Sequence, residues 1–134
     1  MDSKEIGDLG EKIARTYLLK NKYKILTLNF KRKWISGKGE IDIVGKKDSR
    51  VIFFEVKTRV DSGEQEKEFF PEDEISFKKQ KQLCKLTQIY FSENKISLLT
   101  AHQIDILAIE LYFDSKKAKI RHYKNVIEDV YPAV

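Results

Sequence analysis

The pattern of apolar and polar positions divides the N-terminal part of the chain into a helix and a first strand. Residues 3–21 carry apolar side chains every three or four positions, which predicts a helix with Ser3 as a candidate N-cap. The run YKILTLNF at 23–30 predicts a strand, and the basic, glycine-containing stretch KRKWISGK at 31–38 predicts a loop.

The remaining periodic segments predict a helix and more strands. Residues from about 74 to 93 have helical periodicity, and 102–113 alternate as a strand. A turn at DSKK leads into a last strand at 118–125. Together with strands predicted at 39–44 and 51–59, these segments give the order helix, three strands, helix, strand. This order predicts one α/β domain over residues 1–134, in which helices flank a mixed central sheet.

Two runs in the middle of the chain, GEIDIV at 39–44 and VIFFEVKTR at 51–59, predict a β-hairpin. The residues between them include Asp48 and Ser49, both common in turns. The second run is almost entirely β-branched or aromatic, yet it carries Glu55 and Lys57. Residues two apart on a strand point to the same face, so these two ionisable side chains share one side of the sheet.

Counting back from a loop at 47–50 gives two opposed pairs, Asp42 with Glu55 and Glu40 with Lys57. Carboxylates directly opposite on a sheet lie about 5 Å apart and repel by roughly 3 kcal/mol at an effective dielectric of about 20. We therefore expect a cation between Asp42 and Glu55. Mg²⁺ or Mn²⁺ suits such a pair, since a hard ion takes one or two carboxylates and keeps waters for substrate oxygens.

The alternative interpretation of these four residues is a solvated charged face in which Glu40 and Lys57 form an ordinary ion pair. That interpretation leaves unexplained why Glu and Lys interrupt so apolar a strand.

The same residues carry a family resemblance. An Asp, a hairpin and then Glu-x-Lys on the next strand is similar to the metal-dependent PD-(D/E)XK nuclease superfamily, which includes restriction enzymes and Holliday-junction resolvases. The chain more closely resembles the YraN-like family of predicted endonucleases. The matching positions are Gly7, Gly10, Glu11, Ala14, Leu18, Tyr23, Asn29, Gly39, Glu40, Ile41, Asp42, Glu55, Val56, Lys57, Thr58, Arg59, Ile104, Asp105 and Ile106.

This resemblance implies a restriction-endonuclease-like fold and a Mg²⁺- or Mn²⁺-dependent endonuclease acting on DNA, such as branched or repair intermediates. Asp42 and Glu55 would ligate the ion with the Val56 carbonyl, and Lys57 would stabilise negative charge on the phosphate. In resolvase-like relatives a glutamate of the first helix approaches the metal, which makes Glu11 the fourth catalytic candidate. Such relatives also imply a homodimer.

Charge along the chain is segregated. The net charge is +5, but residues 61–74 hold seven acids and one base, so the rest of the chain carries a large positive excess that suits a phosphate backbone. We expect 61–74 to be a mobile loop. Trp34 either stacks on a base or packs against the protein. The candidate nucleic-acid contacts are Lys31, Arg32, Lys33, Arg59, Lys78, Lys81 and Lys85, although basic runs also occur as plain solvated surface.

Other features narrow the class of protein. The single cysteine, Cys84, excludes an internal disulfide and is expected to be helix packing, and two histidines are too few for a zinc cluster. No apolar run is long enough to span a membrane and the N-terminus lacks an apolar signal region, so we expect a cytoplasmic protein. Asp105 shares a strand face with Leu107 and Ile109, so it should be partly buried and hydrogen-bonded.

The sequence thus favours a metal-dependent DNA endonuclease. The alternative is a nucleic-acid-binding module that keeps the nuclease fold without turnover. A third interpretation, a protein-interaction module that acts through the acidic segment, depends only on the charge segregation.

Overall fold

A computed structural model describes residues 1–61 and 75–127 of the chain. In chain order the elements are helix α1 at Ser3–Lys20, strands β1 at Lys24–Trp34, β2 at Gly37–Lys47 and β3 at Arg50–Val60, helix α2 at Phe77–Glu93, and strands β4 at His102–Tyr112 and β5 at Lys117–Tyr123.

The strands form one five-stranded sheet in the order β1-β2-β3-β4-β5. Three neighbouring pairs are antiparallel, whereas β3 and β4 are parallel because the chain passes through α2 between them. The predicted fold class is confirmed: this is a single α/β domain with a mixed sheet and two described helices, compatible with a restriction-endonuclease-like fold. The predicted acidic loop at 61–74 lies outside the described residues apart from Asp61.

The central strand β3 is buried on both faces, which explains its nearly continuous apolar sequence. Ile52 and Phe54 pack with α1, whose Leu18 is fully buried. On the other face, Phe53 packs with the buried residues of α2, among them Phe91. Each helix thus covers one face of the same strand.

Two local predictions were wrong. The N-cap of α1 is Asp2 rather than Ser3, and the Asp2 carboxylate accepts from the Glu5 N–H at 2.8 Å. The stretch 31–38 is mostly strand rather than loop, since β1 and β2 stay paired as far as Trp34 and Gly37. The basic side chains of this stretch point to solvent from a two-stranded hairpin. Its sequence is therefore as polar as that of a loop, which explains the wrong prediction.

The predicted hairpin between β2 and β3 is confirmed over the part nearest its turn. Pairing runs from Lys47 with Arg50 to Ile43 with Phe54, in the predicted register. The turn residues Asp48 and Ser49 have φ of 50° and 65°. Two left-handed residues in a two-residue loop match the right-handed twist of the flanking strands, which favours this register.

Within the described residues, none of the helices has both the length and the apolar character needed to cross a membrane.

Helix α1 approaches β3 closely at Gly10. A Cβ added to Gly10 would lie 1.8 Å from Thr58 Oγ1 and 2.7 Å from Thr58 Cβ. Because a Cβ atom cannot swing away, only glycine permits this separation. The contact fixes where the next residue of the helix, Glu11, stands relative to the sheet.

We therefore predict that Gly10→Ala lowers the free energy of unfolding by about 1–3 kcal/mol, the usual cost of overpacking. Gly7→Ala is the matched control, because a Cβ at Gly7 meets nothing within 4 Å. The control should be neutral or stabilising by up to about 1 kcal/mol through helix propensity. Urea unfolding of both variants measures the difference, and equal stabilities would contradict the close approach.

Candidate active site

The site lies where strands β2 and β3 separate. Their ladder ends at the pair Ile43 and Phe54, so the pairing of Asp42 with Glu55 expected from the register does not form. Residues two apart on a regular strand share a face, but Ile41 packs in the core between the sheet and α2 whereas Ile43 packs in the core between the sheet and α1. The regular alternation of side chains along β2 is therefore interrupted at this point. On β1, Asn29 faces this point with a φ of 52°.

The Asp42 carboxylate occupies the gap between the strands. Its Oδ2 accepts a hydrogen bond from the Val56 N–H at 2.8 Å, in place of a ladder bond. Burial raises the pKa of Asp42 above its ordinary value, against the opposing effect of the Val56 N–H. Asp42 is thus fixed by the backbone of the strand that carries Glu55.

Glu55 is the second carboxylate of the site, and it is only 6% exposed. Its Oε1 lies 3.8 Å from Lys57 Nζ and 3.6 Å from Lys79 Nζ. Its Oε2 is buried and has no hydrogen-bond partner in the part of the chain that the structure describes. Burial first and the charge of Asp42 second raise the pKa of Glu55 to about 7, so the two ammonium groups do not offset these effects.

Two more carboxylates lie beside this pair. Burial, followed by the charges of Asp42 and Glu40, raises the pKa of Glu11. With its amide nitrogen turned toward them, Asn29 donates to Glu11 Oε1 and to Glu40 Oε1 at 3.0 Å each. Glu40 also meets Lys31 at 4.0 Å. The ion pair between Glu40 and Lys57 that the alternative interpretation requires is therefore replaced by other contacts.

The donor set is compatible with a hard divalent ion, but not with a cage made by the protein alone. Among residues 1–61 and 75–127, no cluster of three or more His, Cys, Asp or Glu side chains converges to hold a metal. Asp42 and Glu55 supply two carboxylates, which is the usual protein share of a Mg²⁺ site that is completed by water and phosphate. The unpartnered Glu55 Oε2 is an acceptor that such an ion would satisfy.

The sequence analysis missed Lys79. It lies in the first turn of α2, where Ser76 caps the helix by accepting from the Lys79 N–H at 3.1 Å. A signal was present, because Leu83 and Leu86 follow at i+4 and i+7, and these residues are buried. A lysine on the core-facing side of a helix indicates a buried acidic partner.

The predicted basic contacts fall into two groups around the site. Lys33 is exposed, as are the three predicted lysines of α2. Arg32, by contrast, forms a bidentate ion pair with Glu93 through bonds of 2.8 and 2.7 Å, and stacks over the Phe30 ring. Trp34 packs against the α2-side core, which favours the packing interpretation.

Arg59 is held by the protein further along β3. Its guanidinium lies 3.4 Å from the buried Glu110, which also binds Arg121 and the Tyr112 hydroxyl. Burial acts to raise the pKa of Glu110, but Tyr112 and the two arginines outweigh it and hold that pKa below its ordinary value.

Asp105 is hydrogen-bonded, as expected, and is fully rather than partly buried. It accepts from Gln103 Nε2 at 2.8 Å and from the Asn125 N–H at 2.9 Å, and it bonds His122 Nε2 at 2.7 Å. It packs on the α1 side of the sheet, whereas Glu55 faces Lys79 of α2, so its role is structural. Cys84 is likewise a buried helix residue.

Comparison with known proteins shows the family. Residues 10–109 match the model described as Uncharacterised protein family UPF0102. A UPF0102 protein of Clostridioides difficile is 38% identical over 125 residues, covering 93% of this chain and 98% of that protein. One of Caldanaerobacter subterraneus is 33% identical over 129 residues, with 95% of each covered, and one of Clostridium beijerinckii is 32% identical over 123 residues, with 92% and 93% covered. The chain therefore belongs to the UPF0102 family, which confirms the predicted YraN-like membership.

Proposed function

We propose that this protein is a Mg²⁺- or Mn²⁺-dependent endonuclease that hydrolyses phosphodiester bonds in DNA. The observation that carries the proposal is the half-buried Asp42 beside the buried Glu55, whose Oε2 has no partner among the described residues while two lysines lie near its Oε1. The arrangement combines an acceptor oxygen that a cation would satisfy with ammonium groups that attract a phosphate.

An ordinary salt bridge would leave a different arrangement. Buried ion pairs persist when hydrogen bonds satisfy the remaining lone pairs, because desolvation otherwise exceeds the Coulombic gain. Here one oxygen of Glu55 has no hydrogen-bond partner in residues 1–61 and 75–127, and the pKa values of both Asp42 and Glu55 are raised. The pair is therefore unfavourable until something positively charged is added.

Asp42 and Glu55 would hold the metal, and the Val56 carbonyl is a third candidate ligand. The N–H and C=O of one strand residue point to the same neighbour, so a Val56 N–H that meets Asp42 implies a carbonyl facing the same gap. Glu11 is close enough for its pKa to respond to Asp42. When bound, the ion supplies a Lewis acid that polarises a phosphoryl oxygen and acidifies water.

Lys57 and Lys79 would act on the substrate. Both ammonium groups flank Glu55 Oε1 from different elements and are partly exposed. They can neutralise a phosphate that approaches from the α2 side and stabilise charge that develops on it. Lys57 is placed by the strand and Lys79 by the capped first turn of α2.

A panel of linear and branched DNAs, incubated with Mn²⁺, Mg²⁺ or EDTA, tests the proposal. Metal-dependent cleavage by the parent supports it. A parent that binds DNA tightly but cleaves nothing with either ion would instead be a nucleic-acid-binding module without turnover.

We predict that Glu55→Gln lowers the cleavage rate by about a hundredfold or more, the size of effect seen when a preorganised charge is removed. In EDTA at pH 8 the variant should melt at the same temperature as the parent or higher, because one of two repelling charges is gone. It should also lose the stabilisation that Mn²⁺ confers by mass action. Melting clearly below the parent would mean that Glu55 is a structural ion-pair partner.

The pH dependence of stability gives a second prediction for the metal-free protein. The folded-state pKa of Glu55, about 7, exceeds its ordinary value of 4.5, so between these values the native state keeps a proton that the unfolded chain has lost. The contribution of Glu55 to the free energy of unfolding is therefore fully present below about pH 4.5. It decreases as the pH rises toward about 7 and no longer changes above that pH. Urea unfolding of the parent and Glu55→Gln from pH 5 to 8 should show the difference growing in favour of the variant. A difference between the two unfolding free energies that stays constant from pH 5 to 8 would contradict the raised pKa of Glu55.

Lys79→Met is expected to slow cleavage by about ten- to a hundredfold, because one cation facing the phosphate is lost. The charge of Lys79 also lowers the pKa of Glu55. The acid limb of the pH–rate profile should therefore move to higher pH in the variant. Lys85→Met, an exposed position of the same helix, is the control and should leave that limb in place. A profile that does not shift would show that Lys79 acts through binding alone.

A further inference from the structure

The tip of the β1–β2 hairpin presents one apolar side chain to solvent. Strand β1 ends at Trp34 and β2 begins at Gly37, so Ile35 and Ser36 form the loop. The relative exposure of Ile35 is 109%, so no described neighbour covers it. A single exposed apolar residue is common on protein surfaces. Whether it marks a binding site depends on the residues around it.

The tip is anchored from below. A Cβ at Gly37 would lie 2.9 Å from Trp34 Nε1, which shows that the indole packs directly on the glycine. The same indole approaches Gly39 and the α2-side core. Trp34 therefore fixes the end of the hairpin, and Ile35 projects from a fixed support.

Cations surround the tip. Lys33 and Lys38 face each other across the hairpin, an arrangement of like charges that costs stability. With the tip, Lys78, Lys81 and Lys85 of α2 line a groove of about 520 Å³. In the described ranges none of these five lysines has a carboxylate within 4.0 Å.

The cationic surface continues from the tip to the candidate active site. A second groove, of about 650 Å³, is lined by Lys31, Lys33 and Lys38 together with Glu40. Gln82 of α2 lines both grooves, so the two are adjacent. Asn29 links Glu40 to Glu11, which places the far end of this surface beside Asp42.

We propose that Ile35 is a wedge that enters an unstacked base step, so that the substrate is branched, bulged or otherwise distorted DNA; this inference rests on the proposed nuclease function. Phosphates would neutralise the lysines around the tip, and a base step would cover the isoleucine. An apolar protein surface would have to bury several ammonium groups that have no carboxylate partner within the described ranges, which is unfavourable.

The geometry also sets where cleavage falls. Five residue steps along β2 lead from Gly37 to Asp42, a length of about 17 Å at roughly 3.4 Å per residue. One DNA strand advances about 3.4 Å per nucleotide, so the scissile phosphate should lie about five nucleotides from the wedged step. Cleavage positions on a bulged duplex measure this spacing.

The experiment compares the parent, Ile35→Ser, Ile35→Leu and Leu99→Ser, the last being a control at an apolar residue that is 94% exposed elsewhere. Each protein is titrated, with Ca²⁺ in place of Mg²⁺, against a plain duplex, a four-way junction and a bulged duplex of equal length. The bulge carries 2-aminopurine, whose fluorescence rises on unstacking. Cleavage of the same DNAs is then mapped with Mn²⁺.

The parent should bind the bulged or four-way DNA more tightly than plain duplex and raise the fluorescence. Ile35→Ser should lose about tenfold or more of that preference, the effect of exposing one buried isoleucine, and should also lose the fluorescence rise. Ile35→Leu and Leu99→Ser should retain both.

An equal affinity of the parent for all three DNAs, or a preference that survives in Ile35→Ser, would overturn the wedge. If plain duplex is still cleaved with Mn²⁺ in that case, the result supports the proposed nuclease function and contradicts only the wedge role of Ile35. Absence of any metal-dependent cleavage and DNA binding would overturn both. Stronger Ile35-dependent binding to anionic lipid vesicles than to bulged DNA would assign the tip to a membrane surface and likewise overturn the wedge.

Discussion

The burial of Glu55 beside the half-buried Asp42, where β2 and β3 separate, is the constraint on which the site depends. The charge of Asp42 acts to raise the pKa of Glu55, and repulsion of this kind matters because a whole domain is stable by only about 5–15 kcal/mol. The metal-free protein limits this repulsion by raising the pKa values of Asp42 and Glu55. An arrangement that holds two acids together and delays their ionisation is suited to exchange a proton for a metal ion.

The separation of the strands lets both faces of the sheet contribute to one site. Glu11 arrives on α1, where Gly10 permits the close approach to β3, and its pKa responds to Asp42. Lys79 arrives on α2 and meets Glu55. Glu11 thus reaches the site from the α1 side, whereas Glu55 lies on the α2 side with Lys57 and Lys79.

Local signals in the sequence predicted the elements and the hairpin register, because the turn at Asp48 and Ser49 and the alternation in β3 are both short-range features. The end of the ladder at Ile43 was not predictable in the same way. It depends on Asn29 of a neighbouring strand and on Asp42 taking over a backbone hydrogen bond. Lys79 was missed for a related reason: its pairing with a distant strand is set by how α2 packs, not by spacing along the chain.

Among the described residues, the buried carboxylates are Glu55, Asp105 and Glu110. A comparison of their partners shows that the unsatisfied oxygen is particular to Glu55. Asp105 bonds three partners and Glu110 has three donors, so the fold readily surrounds a buried acid with hydrogen-bonding groups. Glu55 has instead two ammonium groups near one oxygen, at 3.6 and 3.8 Å, and its other oxygen has no partner in the part of the chain that the structure describes. A carboxylate that only supported the fold could be satisfied in the same manner as Asp105. The exception coincides with the predicted Asp and Glu-x-Lys positions, which supports the catalytic role proposed for this pair over a role in stability alone.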